Sequence, residues 1–362
     1  MPKSPSPKIV AVALLTAGIG GFSIHSGWNL NFTEESWALE TFGLPWFFVL
    51  LGVELRHEFT AGAFVNKRHV LVPALAAIFG IVFPALGYLA FTFGTAAAKG
   101  WLIPTATDAT IALAVFAIFG KGLPSSARAF LLAVAIIDDC IGIVLLGIVF
   151  AAPDNWWLIL ATVLGPVLVW WLSRGPLGWW RLVLLAATLL ANFWLADLAG
   201  LQPTLIAAVA GLTLAPATGR KLHRLIEVPV LLAVLPAFVF LGCAISITNS
   251  NPFTAVFWGV LARVPLKLLG LGLGALLGTA MVGKLPQLNA SDYWKLAPLG
   301  GIGFTVSLFA AQLAFGSTPH GTDQQAAAIL ATVVATGFAT VFAAATLGAV
   351  GRKTKRGSNE LP

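Results

Sequence analysis

Two adjacent aspartates, Asp138 and Asp139, interrupt the apolar stretch AIIDDCIG, and a third, Asp108, closes the stretch IPTATD. Two bases, Arg263 and Lys267, lie four apart in ARVPLK, which puts them on one face of a helix. Neighbouring helix positions diverge by about 100°, so Asp138 and Asp139 point different ways. One can line a cavity while the other reaches a neighbouring helix. Desolvation favours the protonated form of a carboxyl group and a nearby cation favours the ionised one. Such a cluster can be poised so that protons and small cations compete for the same oxygens. Thr105, Thr107 and the backbone around Pro104 add the hydroxyl and carbonyl oxygens that sodium takes. Loading a cation then expels protons, and reprotonation on the other side expels the cation.

The elements that must hold these charges are membrane helices. Of the 362 residues, 58% are hydrophobic and 10% charged, against about 25% charged in a soluble domain. Apolar stretches such as Val70–Phe93, Pro124–Ala152 and Gln325–Val350 reach the roughly 20 residues that cross a bilayer. The pattern predicts an all-α polytopic membrane protein of about twelve spans. The first six are Ile9–Ile24, Phe42–Leu55, Val70–Phe93, Trp101–Gly120, Pro124–Ala152 and Trp156–Leu172. The second six are Trp179–Leu198, Pro203–Leu214, Val228–Ile247, Phe253–Val282, Leu296–Phe315 and Gln325–Val350. No linker divides them, so 1–362 reads as one integral membrane transporter domain, with 1–8 and 352–362 as polar tails. The basic start MPKSPSPK resembles a signal peptide, but no A-x-A site follows, and it reads as the approach to a first span.

The formal charge of +7 is distributed for a membrane and not for nucleic acid. With the N-terminus in the cytoplasm, every Lys and Arg except Lys99, Arg263 and Lys267 falls in the tails, in even-numbered loops or at their edges. Glu34, Glu35, Glu40, Asp154 and Asp323 fall in the opposite loops, with Asp197 at a span edge beside them. That is a positive-inside bias. It predicts a cell (inner) membrane protein with both termini cytoplasmic. Cys140 and Cys243 fall inside spans and suggest neither a disulfide nor a metal site.

Depth makes the charges informative. An Asp at a helix centre costs about 2.5–3.5 kcal/mol on insertion scales. Asp138 lies about 21 Å along the helix from Pro124, and Arg263 and Lys267 about 15 and 21 Å from Phe253. Apolar residues would insert at lower cost than three acids and two bases, so simple packing is a poor explanation. Spans four and eleven open with WLIPTATDAT and LAPLGGIGFTVS, which put Pro, Gly and hydroxyls where a continuous helix would have Leu. Unpaired backbone is tolerated in a membrane where it is buried in protein or lines a cavity. Two interrupted spans in corresponding positions point to a transporter's binding site.

Four stretches, in this order and spacing, resemble the NhaA-type sodium/proton antiporters: FFVLLGVELRHEF at 47–59, IPTATDATIALAVFAIFG at 103–120, LLAVAIIDD at 131–139 and GIGFTVSLFAAQLAFG at 301–316. The resemblance implies inverted repeats and two interrupted helices crossing near the midplane. It implies Na+ (or Li+) and H+ binding by Asp138, Asp139 and Thr107, with Asp139 the direct ligand and Asp138 paired to a base on span ten. Asp108, Arg263 and Lys267 would compensate charge at the crossing, where Gly301, Gly303 and Thr305 form the broken span eleven. It further implies pH-regulated, electrogenic exchange of cytoplasmic Na+ for external H+, with no cofactor beyond the transported ions. Two departures stand out. The family's Lys directly before the span-ten proline is Val264 here, and a family aspartate in span two is Thr41. Arg is effectively always protonated, so an Arg263 partner would carry no proton and would alter the stoichiometry. The resemblance leaves a homodimer open as a partner, although the outer loop before span two is short for a dimerising hairpin.

Near the cytoplasmic mouth, Glu54 and Glu58 flank His57, and His223 and Glu227 are four apart. Histidine titrates near physiological pH, so these residues are candidates for pH sensing; otherwise they are charges that set topology. Other classes fit less well. GIGF lacks the Asp of an intramembrane aspartyl protease, and DDCIG lacks the third acid of a D-D-x-x-D prenyltransferase. A channel needs a continuous pore, and a sodium-coupled carrier of an organic solute needs a larger pocket.

Overall fold

The computed structural model describes residues 5–28, 37–61, 67–153, 155–175, 178–244, 253–283, 285, 287–316 and 321–359. All regular structure among them is helical. In chain order the helices are α1 (Pro7–Trp28), α2 (Leu44–Ala61), α3 (Lys67–Thr92), α4 (Ala109–Phe119), α5 (Ser125–Val149), α6 (Trp156–Ser173), α7 (Trp179–Leu198) and α8 (Pro203–Thr213). They continue as α9 (Pro216–Pro229), α10 (Leu235–Cys243), α11 (Ala255–Leu261), α12 (Arg263–Val282), α13 (Ala290–Gly300), α14 (Thr305–Phe315) and α15 (Gly321–Asn359). Among the described residues, eight helical segments are long and apolar enough to cross a membrane, and the bent pair α13–α14 makes a ninth. The other three predicted spans coincide with α1, apolar over Pro7–Gly21, with α2, which carries Glu54, Arg56 and Glu58, and with α8, which has 11 residues. Leu86, Trp171, Val183, Phe338 and Val341 point out of the protein more than half exposed. Apolar faces of that extent belong in lipid, and this is a polytopic membrane protein.

Contacts divide the chain into two compact units. One comprises Met1–Ser6, Ala13–Val65 and Ile143–Ala244, and the other Pro7–Val12, Asn66–Gly142 and Ile245–Pro362. In the first unit, α2 packs on α8, and α6, α7 and α8 pack on one another. Trp156, Trp157, Trp171, Trp179 and Trp180 stay exposed at the ends of α6 and α7, the levels at which a bilayer interface favours aromatic rings. The predicted start of span nine at Val228 differs from the structure. The polar turns of α9 run straight into the apolar part through a π-helical turn, Val230–Val234, and on into α10.

The second unit is built on the pair α3–α12. A Cβ added to Gly270 would lie 2.3 Å from the carbonyl oxygen of Phe79, and one added to Gly274 2.3 Å from that of Leu75. Backbones that close exclude any side chain. On α15, Ala327, Ala331, Ala335, Ala339 and Ala343 repeat every four residues, each at most 1% exposed. This stripe lets α15 approach α11, α13 and α14. Span ten, read from sequence as one run, is divided: α11 stops at Leu261, a turn falls at Ala262, and α12 starts at Arg263. Pro265 explains this, because it has no N–H to donate to the carbonyl four residues earlier.

Candidate functional site

Both spans predicted to be interrupted are interrupted. The segment before Asp108 runs through short 3-10 turns, Ala96–Gly100 and Ile103–Thr105, and is extended at Ala106. Helix α4 then starts, capped by Asp108, whose carboxylate accepts from the Ile111 N–H at 3.2 Å. Pro104 has no N–H to donate back to the chain, which disfavours a regular helix here, and an Asp at an N-cap satisfies an otherwise orphaned donor. The second break lies between α13 and α14, which bend by 51°.

The two breaks lie against each other. The Asp108 N–H donates to the Ile302 carbonyl at 2.7 Å, and the Thr107 hydroxyl to the Gly300 carbonyl at 3.1 Å. In return Asp108 accepts from the hydroxyl of Thr305 at 2.9 Å and from its N–H at 3.4 Å. One carboxylate thus serves the N-terminal ends of both α4 and α14, where helix dipoles favour negative charge. Gly303 makes the approach feasible, since a Cβ there would sit 2.2 Å from the Ala106 carbonyl oxygen.

The structure answers which base meets Asp138. The Lys267 ammonium lies 3.1 Å from one Asp138 carboxylate oxygen and 3.4 Å from the other, with Asp138 2% and Lys267 0% exposed. It also donates to the Thr105 carbonyl at the first break. Asp139 is half-buried beside it in sequence, so the two aspartates do face different surroundings. Arg263 turns elsewhere. It donates to the Ser307 hydroxyl at 3.0 Å, the Thr332 carbonyl at 3.0 Å and the Thr336 hydroxyl at 2.7 Å. Sequence reasoning passed over Ser307, Thr332 and Thr336. The available signal was hydroxyls set in apolar runs, Ser307 in FTVSLF and Thr332 and Thr336 four apart in the last span.

The acid–histidine residues form a second group, within the first unit. His223 lies 3.1 Å from Glu54 on α2 and 3.5 Å from Glu227 one turn along α9. Sequence suggested the local pairs; the contact between Glu54 and His223 joins residues 169 apart. His57 is exposed on α2 and Glu58 half-exposed. Glu40, placed in an outer loop by the sequence reading, instead lies half-buried in a π-helical turn, Leu39–Gly43. Burial, and secondarily the charge of Asp197, push its carboxyl up to about 7. Among the described residues no three His, Cys, Asp or Glu side chains cluster as metal ligands.

Two broken spans joined at their interruptions, with buried acids and bases beside them, define a membrane ion-exchanger architecture. The solved structure of the sodium proton antiporter MjNhaP1 from Methanocaldococcus jannaschii shares the fold, with a TM-score of 0.65 over 95% of this chain and 92% of that one at 17% identity. The model of the Na+/H+ antiporter 1 family matches residues 21–347. A Na(+)/H(+) antiporter NhaA 2 of Clavibacter michiganensis is 37% identical over 86% of this chain and 78% of its own length. A Na(+)/H(+) antiporter NhaA of Vibrio cholerae is 34% identical over 77% and 76%. The chain belongs to the Na+/H+ antiporter 1 family.

Proposed function

We propose that the protein exchanges cytoplasmic Na+ or Li+ for external H+ at Asp138 and Asp139, as one transporter in the cell membrane with both termini cytoplasmic. The observation that carries this is the fully buried Lys267–Asp138 pair at 3.1 Å, beside half-buried Asp139. A buried ion pair held at the first polar break is a costly feature for packing alone. Asp139 takes the cation, and Asp138 responds through Lys267. Unlike Arg, a buried Lys can release its proton, which favours more than one proton per cation and net charge movement. Asp108 stabilises the crossing. Thr107 already donates to Gly300, so it can offer the cation only a lone pair. Glu54, His223 and Glu227, with His57 and Glu58 along α2, tune exchange to pH. The chemistry is transport and not catalysis, and the only small partners are the transported ions and lipid.

The test is flux in everted vesicles. Na+ added to a respiration-generated pH gradient collapses it, and Asp139→Asn abolishes the response. Undiminished exchange in that variant would sink the assignment. Repeating the assay with a permeant compensating ion reads whether net charge moves: an electrogenic exchanger speeds up.

A further inference from the structure

The sequence offers two buried cations where one suffices to pair Asp138. Arg263 is 0% exposed, yet its hydrogen-bond partners in the structure are all neutral oxygens. The arrangement of those oxygens is informative. Ser307, which accepts from Arg263, donates to the Ile103 carbonyl at 2.8 Å, in the last turn before the first break. Thr336, which also accepts from Arg263, donates to the Gly303 carbonyl at 2.8 Å, inside the second break. A single guanidinium therefore reaches the carbonyl side of both interruptions, each through one hydroxyl. Those carbonyls carry partial negative charge and lack regular helical partners. The planar fork of Arg suits several simultaneous acceptors, and its charge is permanent.

Building on the exchange proposed above, we propose that Arg263 is a positioning residue. It is a fixed positive clamp that holds the carbonyl ends of both breaks through Ser307 and Thr336 and leaves Lys267 to answer Asp138. The two bases divide the work by chemistry. The one that cannot release a proton fixes the geometry of the breaks, and the one that can faces the ion site. Arg263 also bonds directly to α15 at Thr332 and Thr336, so it ties the last helix to the crossing. Lys267, one turn further along the same face, completes the set at the Thr105 carbonyl.

The experiment is Na+-driven exchange in proteoliposomes across a pH series, with melting temperature of the purified full chain measured alongside. Arg263→Lys keeps a positive charge but loses the planar fork, so its pH profile follows the wild type while its half-saturating Na+ concentration rises. Arg263→Gln keeps a hydrogen-bonding group but removes the charge. Loss of a fixed positive charge strengthens proton binding in the cluster, so exchange begins about one pH unit higher. A folded Arg263→Gln protein with the wild-type profile overturns the proposal. If Arg263→Gln does not fold, Ser307→Ala and Thr336→Val decide, since each cuts one arm and leaves the charge. Both are expected to raise the half-saturating Na+ concentration several-fold with an unchanged pH profile, and unaltered Na+ dependence in both overturns the clamp. Absence of Na+ exchange in the wild type would instead count against the exchange reading itself.

Discussion

The two charged groups of this protein sit in opposite environments. Asp138, Lys267 and Arg263 are at most 2% exposed. The Glu54 side chain is 53% exposed, with His223 and Glu227 near 20%. In the buried group every charge must find a partner, and any change of charge must be answered within the cluster. In the exposed group water is the alternative partner, so protonation can change without reorganising the fold. The proposed exchange needs the first property and the proposed pH regulation the second. Glu40 lies between the two extremes.

The sharpest way to break the contrast is to orphan a buried charge. Lys267→Met leaves Asp138 buried without its base, and removing one partner of a buried pair costs about 3–5 kcal/mol. A large fall in melting temperature is expected, with loss of exchange. Adding Asp138→Asn to Lys267→Met should restore most of the stability and none of the exchange. Equal melting of the single variant and the wild type would mean that the site is wetter than its burial implies.

Gly303→Ala comes next, as a test of geometry without charge. The added methyl would meet the Ala106 carbonyl at 2.2 Å, so the breaks must separate. Misplacements near 1 Å can cost about a hundredfold in a positioned reaction. An exchange rate reduced at least tenfold is expected, with the pH profile retained.

Glu40 tests the intermediate case. The folded protein holds its proton up to about 7 against an ordinary 4.5. Its ionisation therefore costs nothing below the ordinary value, and the cost grows as pH rises towards 7 and is complete above it. Glu40→Gln removes that cost, so it should melt higher than the wild type at about pH 8 and alike at about pH 4. The smallest effect is expected at the exposed group. His223 attracts Glu54 and Glu227 only while protonated, and its hydrogen bond to Glu54 raises its pKa above the ordinary 6.5. His223→Gln should therefore lose that stability in full below about pH 6.5, the loss fading as pH rises through the raised folded value. Exposed pairs contribute about 0–1 kcal/mol, so the melting shift is slight while the exchange profile flattens with pH. A collapse in stability would place His223 with the buried group instead.

Much of this was legible in the sequence because membranes make charge conspicuous. The aspartates, the two bases and the Pro- and Gly-marked breaks all stood out against apolar runs. The choice between Arg263 and Lys267 did not, because a spacing of four puts both on one face. That choice follows from the Ser307 and Thr336 hydroxyls and the Thr332 carbonyl on α14 and α15, which take Arg263. The meeting of Glu54 with His223 was hidden by chain distance. The π-helical turns at Leu39–Gly43 and Val230–Val234 left no mark in an apolar pattern, which cannot separate a bond to the fourth residue back from one to the fifth. The predicted spans at α2 and α8 rest on a more charged helix and a shorter one, a difference that hydropathy blurs.

The pair α3–α12 adds a consequence for how the site tolerates change. Lys267 stands three residues, just under one turn, before Gly270, where α12 rests directly on the backbone of α3 at Phe79, and Gly274 repeats that contact at Leu75. At these two contacts no side chain lies between the helices to repack. A substitution at either glycine therefore displaces the whole rod, and the ammonium travels with it. The lysine's address is written partly in two residues that have no side chain, and drift at those positions would alter ion affinity without touching a single charged group.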